Sequence, residues 1–164
     1  MQPSVKTKPL RAYSYLGFLL LAAYLVQDFF NLKWAWLVTL QTGETFKQLT
    51  GLLLLSYLAH QWYLSRLRLK GRAEAARARL SQHKTWGALA PLVFYVHSHS
   101  LGHAYLLLLS SVYLSNVAVG LLNHEVVKIR HRWFLTGWML VHVSLAVVLL
   151  ILVSYHAFIA FYYQ

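Results

Sequence analysis

From Trp133 to Tyr163 the chain carries no Asp, Glu, Lys or Arg. An apolar run of this length exceeds the roughly 20 residues a helix needs to cross a bilayer. Within a hydrocarbon layer only a helix or a closed barrel satisfies its own backbone. Inside the run stand His142 and His156, 14 positions apart. At about 100° per residue that spacing falls about 40° short of four full turns, so both imidazoles leave one helix face, roughly 21 Å apart along the axis. His83 and His97 repeat the same spacing. Imidazoles within apolar helices are costly, and they mark binding or relay.

The rest of the composition agrees with a membrane chain. Hydrophobic residues make up 59% of the 164 and charged residues 12%, and the mean hydropathy is +0.50. A soluble domain of this size has too little interior to hide that surface. The expected architecture is therefore all-α: a single integral-membrane domain over 1–164 with no soluble domain attached. Cysteine is absent, which excludes disulfides, thiolate metal sites, Fe–S ligation and covalent c-type haem. Any metal must use the nine histidines. The formal charge of +11 is read as orientation signal and lipid-headgroup contact, not as nucleic-acid binding.

Along the chain, Lys6, Lys8 and Arg11 precede an apolar run that no small-x-small site closes, so the start is read as a retained helix over 10–30. A second helix is expected over 46–64, after a connection over 31–46. The stretch 66–84 sets Arg66, Arg68, Lys70, Arg72, Arg77, Arg79 and Lys84 against Glu74 alone. It reads as a short surface helix on the cytoplasmic side. A third helix starts near His83 or Trp86 and runs to Leu122, interrupted by His97-Ser98-His99-Ser100-Leu101-Gly102-His103. It spans about 35 residues, or roughly 53 Å. A fourth occupies the last apolar run. Four helices put both termini in the cytoplasm of a bacterial inner membrane. The alternative breaks the third helix near Gly102 and gives five crossings, which moves Lys128, Arg130 and Arg132 inside.

Two imidazoles at one depth on neighbouring helices clamp one haem iron, and two such levels hold two haems. The candidate axial ligands are His83, His97, His142 and His156, with His60, His99 and His103 in reserve. His124 and His131 fall in a polar connection and are expected to be exposed. On antiparallel helices ligand numbers at one level have a constant sum: His83 with His156 and His97 with His142 both give 239. A straight hairpin turning near residue 127 favours His97 with His156 alone, and hence one haem. With five crossings the ligand helices run parallel, and His83 pairs with His142 and His97 with His156 at a constant difference of 59.

His83-Lys84-x-x-Gly87 with His97 resembles a ligand-bearing helix of the cytochrome b561-like and ferric-reductase-like membrane cytochromes. Trp138-x-x-x-His142 with Tyr155-His156 resembles their other ligand helix, and Thr50-Gly51-Leu52 resembles a helix-end motif of the b561 group. The resemblance covers mainly 83–160. It implies non-covalent haem b on paired histidines and electron transfer within or across the membrane. The chain departs from those families in lacking a flavin or nucleotide domain. The expected role is therefore an electron-transfer subunit of a redox complex, not an enzyme by itself. Its expected partners are membrane lipid, other subunits, a quinol and a c-type cytochrome, with quinone as a further ligand. The competing readings are a haem-free or single-haem anchor for a peripheral redox protein, a quinone-site subunit, and a His-lined transporter.

Overall fold

A computed structural model describes residues 10–129 and 131–162, excluding the side chains of residues 10, 11, 124 and 125. Among the described residues the secondary structure is entirely helical: α1 (Leu10–Phe29), α2 (Ala35–Thr42), α3 (Glu44–Leu69), α4 (Ala73–Ala88), α5 (Ala90–His97), α6 (Tyr105–Leu121), α7 (His124–Val127) and α8 (Arg132–Tyr162).

Local chemistry sets the ends of these helices. Beyond α1, Asn31 takes a positive φ of 53° and the Leu32 N–H closes onto the Gln27 carbonyl at 2.9 Å, a left-handed cap that Asn tolerates. Beyond α3, Gly71 does the same at φ +67°, with Arg72 N–H on the Leu67 carbonyl at 3.0 Å. The chain thus turns back at once into α4. Only Leu89 separates α4 from α5. Pro91 lies in the first turn of α5; it has no N–H to donate to Gly87, and its ring crowds that carbonyl. The two helices therefore form one kinked pass, from Ala73 to His97.

The expected four-helix arrangement is corrected here. The long third helix breaks at residues 98–104, where Gly102 adopts φ +77° and a Cβ would meet Leu106 Cβ at 2.8 Å. The basic stretch is no separate surface helix: Arg66 and Arg68 end α3, Lys70 and Arg72 lie in the turn, and the part from Ala73 onward is the first half of the α4–α5 pass. The result is five long passes: α1, α3, α4–α5, α6 and α8. The connection over 31–46 also holds α2, which periodicity did not reveal, and the second helix runs over Glu44–Leu69 rather than 46–64.

Contacts fix the two ends of the bundle. At one end Asn123 donates to Ser14 Oγ at 3.1 Å, and Gly17 lies against Leu121 and the Ala88 backbone. At the other, Gln27 donates to the His99 carbonyl at 3.1 Å and the Leu101 N–H to Asp28 Oδ1 at 3.2 Å. Along α8, His142 lies against Gly120 and His156 near Tyr105, so the start of α1 and the end of α8 lie at opposite ends of the bundle, which differs from the expectation of both termini on one side. The α3–α4 turn marks the basic end.

A core of Leu21, Tyr24, Ala90, Phe94, Tyr113, Leu114 and Leu149 joins α1, α5, α6 and α8. Helix α8 packs along α6 and makes at most marginal backbone contact with α3, α4 or α5. Among the described residues two helices are long and apolar enough to cross a membrane, Ala12–Phe29 and Arg132–Tyr162. The second has a mean hydropathy of 2.4 over its most apolar window, yet only 6% of that window is buried inside the protein.

Candidate functional site

Helices α4–α5 and α8 run parallel from the basic end, so side chains meet across them at a constant difference in residue number. The rings of His83 and His142 face each other with centroids 6.4 Å apart and planes at 78°. Those of His97 and His156 do the same at 6.4 Å and 79°. All four candidate ligands are thus brought together, in the pairing that belonged to five crossings. The antiparallel pairings of His83 with His156 and of His97 with His142 do not occur, and His97 meets His156 across parallel helices, not across a hairpin.

The spacing has a chemical meaning. A metal–imidazole bond of about 2 Å plus ~1.1 Å from nitrogen to ring centre, taken twice, gives about 6.2 Å between centroids. Direct edge-to-face packing of two rings allows anything from 4.5 to 7 Å, roughly. Both pairs, at 6.4 Å, satisfy either geometry. Among the described residues no three His, Asp or Glu side chains converge; each level brings together two imidazoles.

Each ring is held from behind. Thr50 Oγ1 lies 3.1 Å from His97 Nδ1 and donates its own proton to the Phe46 carbonyl at 2.7 Å. A hydroxyl has one proton, so its oxygen accepts from His97 Nδ1–H and leaves Nε2 as the free donor atom. Gly51 comes next: a Cβ there would meet His97 Cε1 at 3.3 Å. Tyr105 Oη stands 3.4 Å from His156 Nδ1, a long contact. His142 lies parallel to Trp138, 5° between planes and 5.9 Å between centroids, and Trp138 Nε1 is tied to the Val119 carbonyl at 2.7 Å. A Cβ at Gly120 would meet His142 Cε1 at 3.0 Å. Backbone groups of Gln61 and Asn116 adjoin His83 and His142, but neither Nδ1 has a hydrogen-bond partner, though both are buried.

A cavity of about 560 Å³ opens between α3, α5, α6 and α8, inside the roughly 300–1,000 Å³ range of cofactor sites. His97, His156, Gly51, Phe94, Tyr113 and Leu149 line it; His83 and His142 do not. A smaller apolar gap of about 110 Å³ shares Leu55, Leu58, Leu149 and Val153 with it and continues to Ala59 and Trp62. The space left between α3 and α8 thus extends toward the level of His60. At the His97–His156 level the apolar walls, the two facing imidazoles and Gly51 against the His97 ring fit a flat, iron-bearing macrocycle; at the His83–His142 level the facing imidazoles, Gly120 against the His142 ring and two buried Nδ1 atoms are present, but the cavity does not reach them.

The reserve histidines stand elsewhere. His99 donates from Nδ1 to Gln41 Oε1 at 2.8 Å. The same Gln41 caps the end of α5 through the carbonyls of Tyr95, at 2.7 Å, and Val96, at 3.2 Å. Burial and then the Lys33 ammonium hold His99 below its ordinary pKa, against the pull of Asp28, so it is neutral at pH 7. His60 is exposed, with Arg79 at 3.1 Å, and His103 and His131 are also exposed. The side chain of His124 is outside those described. Thr50, Gly51, Gly120, Tyr105 and Gln41 were not identified from the residues themselves; only the Thr50-Gly51-Leu52 resemblance pointed at any of them.

No protein-family model, characterised protein or solved structure matches this chain.

Proposed function

We propose that this chain is an integral-membrane b-type cytochrome that holds two haems, one on His83 and His142 and one on His97 and His156, and serves as an electron-transfer subunit of a redox complex. The observation that carries the reading is the pair of equal ring separations, 6.4 Å at both levels. Haem bound there supplies one-electron chemistry. The chain's own residues hold it non-covalently, since there is no cysteine for thioether bonds. They fill both axial positions, which suits electron transfer over oxygen binding. The outward apolar face of α8, barely covered by protein, suits lipid on energetic grounds: in water it would be an exposed patch far larger than soluble monomers carry.

Charge supports an orientation. Arg66, Arg68, Lys70, Arg72, Arg77 and Arg79 cluster around the α3–α4 turn, and Lys128 and Arg132 lie near the same end. Lys33 and Lys47 at the other end are matched by Asp28 and Glu44. The basic end is therefore the cytoplasmic one. Single cysteines in place of Arg72, His103 and Tyr162 test this in the otherwise cysteine-free chain. A membrane-impermeant thiol reagent added outside intact cells should label the last two and spare the first. Labelling of Arg72→Cys alone would invert the topology, and equal labelling of Arg72→Cys and Tyr162→Cys would refute five crossings.

The haem assignment itself is tested by spectroscopy of the purified chain. Dithionite should bring up a b-type α-band, and carbon monoxide should leave the reduced spectrum unchanged because no axial position is open. A spectrum without a Soret band would refute the reading in favour of a haem-free anchor. A Soret band displaced by carbon monoxide would refute bis-histidine ligation.

A further inference from the structure

The cavity beside His97 and His156 is polar along one rim only. On α3, Glu44, Lys47, Gln48 and Gly51 all line it; at spacings of three, four and seven residues they share one helix face. Gly51 lies against His97, and Lys47 stands about one turn, roughly 6 Å, nearer the start of the helix. Gln41 and His99 extend this rim. The end of α8 supplies an apolar rim of Ile159, Ala160 and Phe161, and Leu55, Leu58 and Leu149 line the wall toward the smaller gap. The polar groups are not equally available. Gln41 is committed at both ends of its amide, to the Tyr95 and Val96 carbonyls and to His99. The Ser98 hydroxyl donates to the Ser100 carbonyl. Lys47 is the one cation on the wall among the described residues. Its ammonium has three donors, and its 2.9 Å pair with Glu44 is a surface pair, the two side chains 47% and 70% exposed. Such a pair contributes little to stability, so the ammonium can take a second anion at small cost.

Resting on the reading of His97 and His156 as haem ligands, we infer that this rim fixes which way round the haem sits: its carboxylate edge lies on the α3 side, where Lys47 pairs with it, and its apolar edge lies among Leu55, Leu58 and Leu149. Turned the other way, the carboxylates would face apolar side chains, and an ionised group without a partner there is costly. The polar rim belongs to the end of the bundle away from the basic turn, where Gln27 and Asp28 hold residues 99 and 101. The carboxylates of this haem therefore point toward that end. Lys47 is a cofactor-positioning residue, not an iron ligand.

The test uses the full-length haem-loaded protein and, to leave this haem alone, the same substitutions combined with His142→Ala. Two quantities are read: the rate at which haem passes to excess apomyoglobin, and the resonance Raman bending band of the haem carboxylate side chains, which responds to hydrogen bonding at those groups. Lys47→Gln should speed haem loss roughly fivefold, the scale of one partly exposed charge pair, and should shift the bending band. Lys47→Arg, which keeps the charge, should hold haem as the wild type does. Glu44→Gln breaks the same surface ion pair but leaves the ammonium in place, so haem loss should be unchanged or slower. Equal acceleration in Lys47→Gln and Glu44→Gln with an unmoved band would show that the ion pair only holds the start of α3, and would overturn the inference. Unchanged haem loss with an unmoved band in Lys47→Gln would overturn it as well, and both results leave the haem reading standing. A wild-type chain without haem overturns the haem reading and this inference together.

Discussion

His142→Ala is expected to remove one haem of two and to leave the other spectrally intact. His142 faces only His83 at its level, and the next pair lies roughly 21 Å away along the helices. No other described histidine can replace it: His60 is bound to Arg79 at an exposed position, and His131 is exposed. The iron would lose an axial ligand inside an apolar site, and the remaining single bond would not hold the group through purification. His83→Ala should give the same product. The double variant should be no worse than either single one, because both substitutions destroy the same site. His97→Ala and His156→Ala should remove the other haem, while His99→Ala and His103→Ala should keep both. The measurement is haem per chain with the reduced α-band. The hairpin pairing, with one haem on His97 and His156, requires His142→Ala to be silent; a silent result would contradict the proposal of a second haem on His83 and His142.

Gly120→Leu is expected to have nearly the same effect without touching a ligand. A Cβ at Gly120 would already stand 3.0 Å from His142 Cε1. The imidazole has little room to yield, because Trp138 lies parallel to it and is anchored to the Val119 carbonyl. Alanine needs a shift of a few tenths of an ångström and should keep both haems with a displaced midpoint at this level. Leucine places further carbons where the ring stands. Overpacking of a filled site costs about 1–3 kcal/mol, and in the proposed site the strain would fall on the bond from His142 to the haem iron. Gly120→Leu should therefore lose the His83–His142 haem and keep the other. Two intact haems with native midpoints in Gly120→Leu would show that the ring is not fixed by this contact.

The histidines were legible because spacing alone puts them on one face. Fourteen residues return to nearly the same direction in any α-helix, so His83 with His97 and His142 with His156 could be read before any tertiary structure was known. Which rings meet across the bundle was not legible, since that depends on whether the two ligand helices run parallel. The direction was decided by residues 98–104. Sequence showed a polar interruption there but not a reversal, because the reversal depends on distant partners: Gln41 from α2 capping α5, Asp28 holding the Leu101 N–H, and Gln27 holding the His99 carbonyl. The basic stretch misled for a related reason. Its charges read as a surface helix, whereas only its first residues are at the end of the bundle; by His83 the same helix faces His142. The glycines could not have been found from periodicity at all. What matters at Gly51 and Gly120 is a missing Cβ opposite a ring on another helix, and a single sequence carries no sign of that neighbour.

The most direct measurement of the central claim is the haem-to-chain ratio of the purified wild-type protein by pyridine haemochrome, with acid–acetone extraction to confirm non-covalent attachment. Two extractable haems b per chain is the predicted result. One per chain would contradict the two-level site, and none would contradict the assignment of these histidine pairs to haem iron.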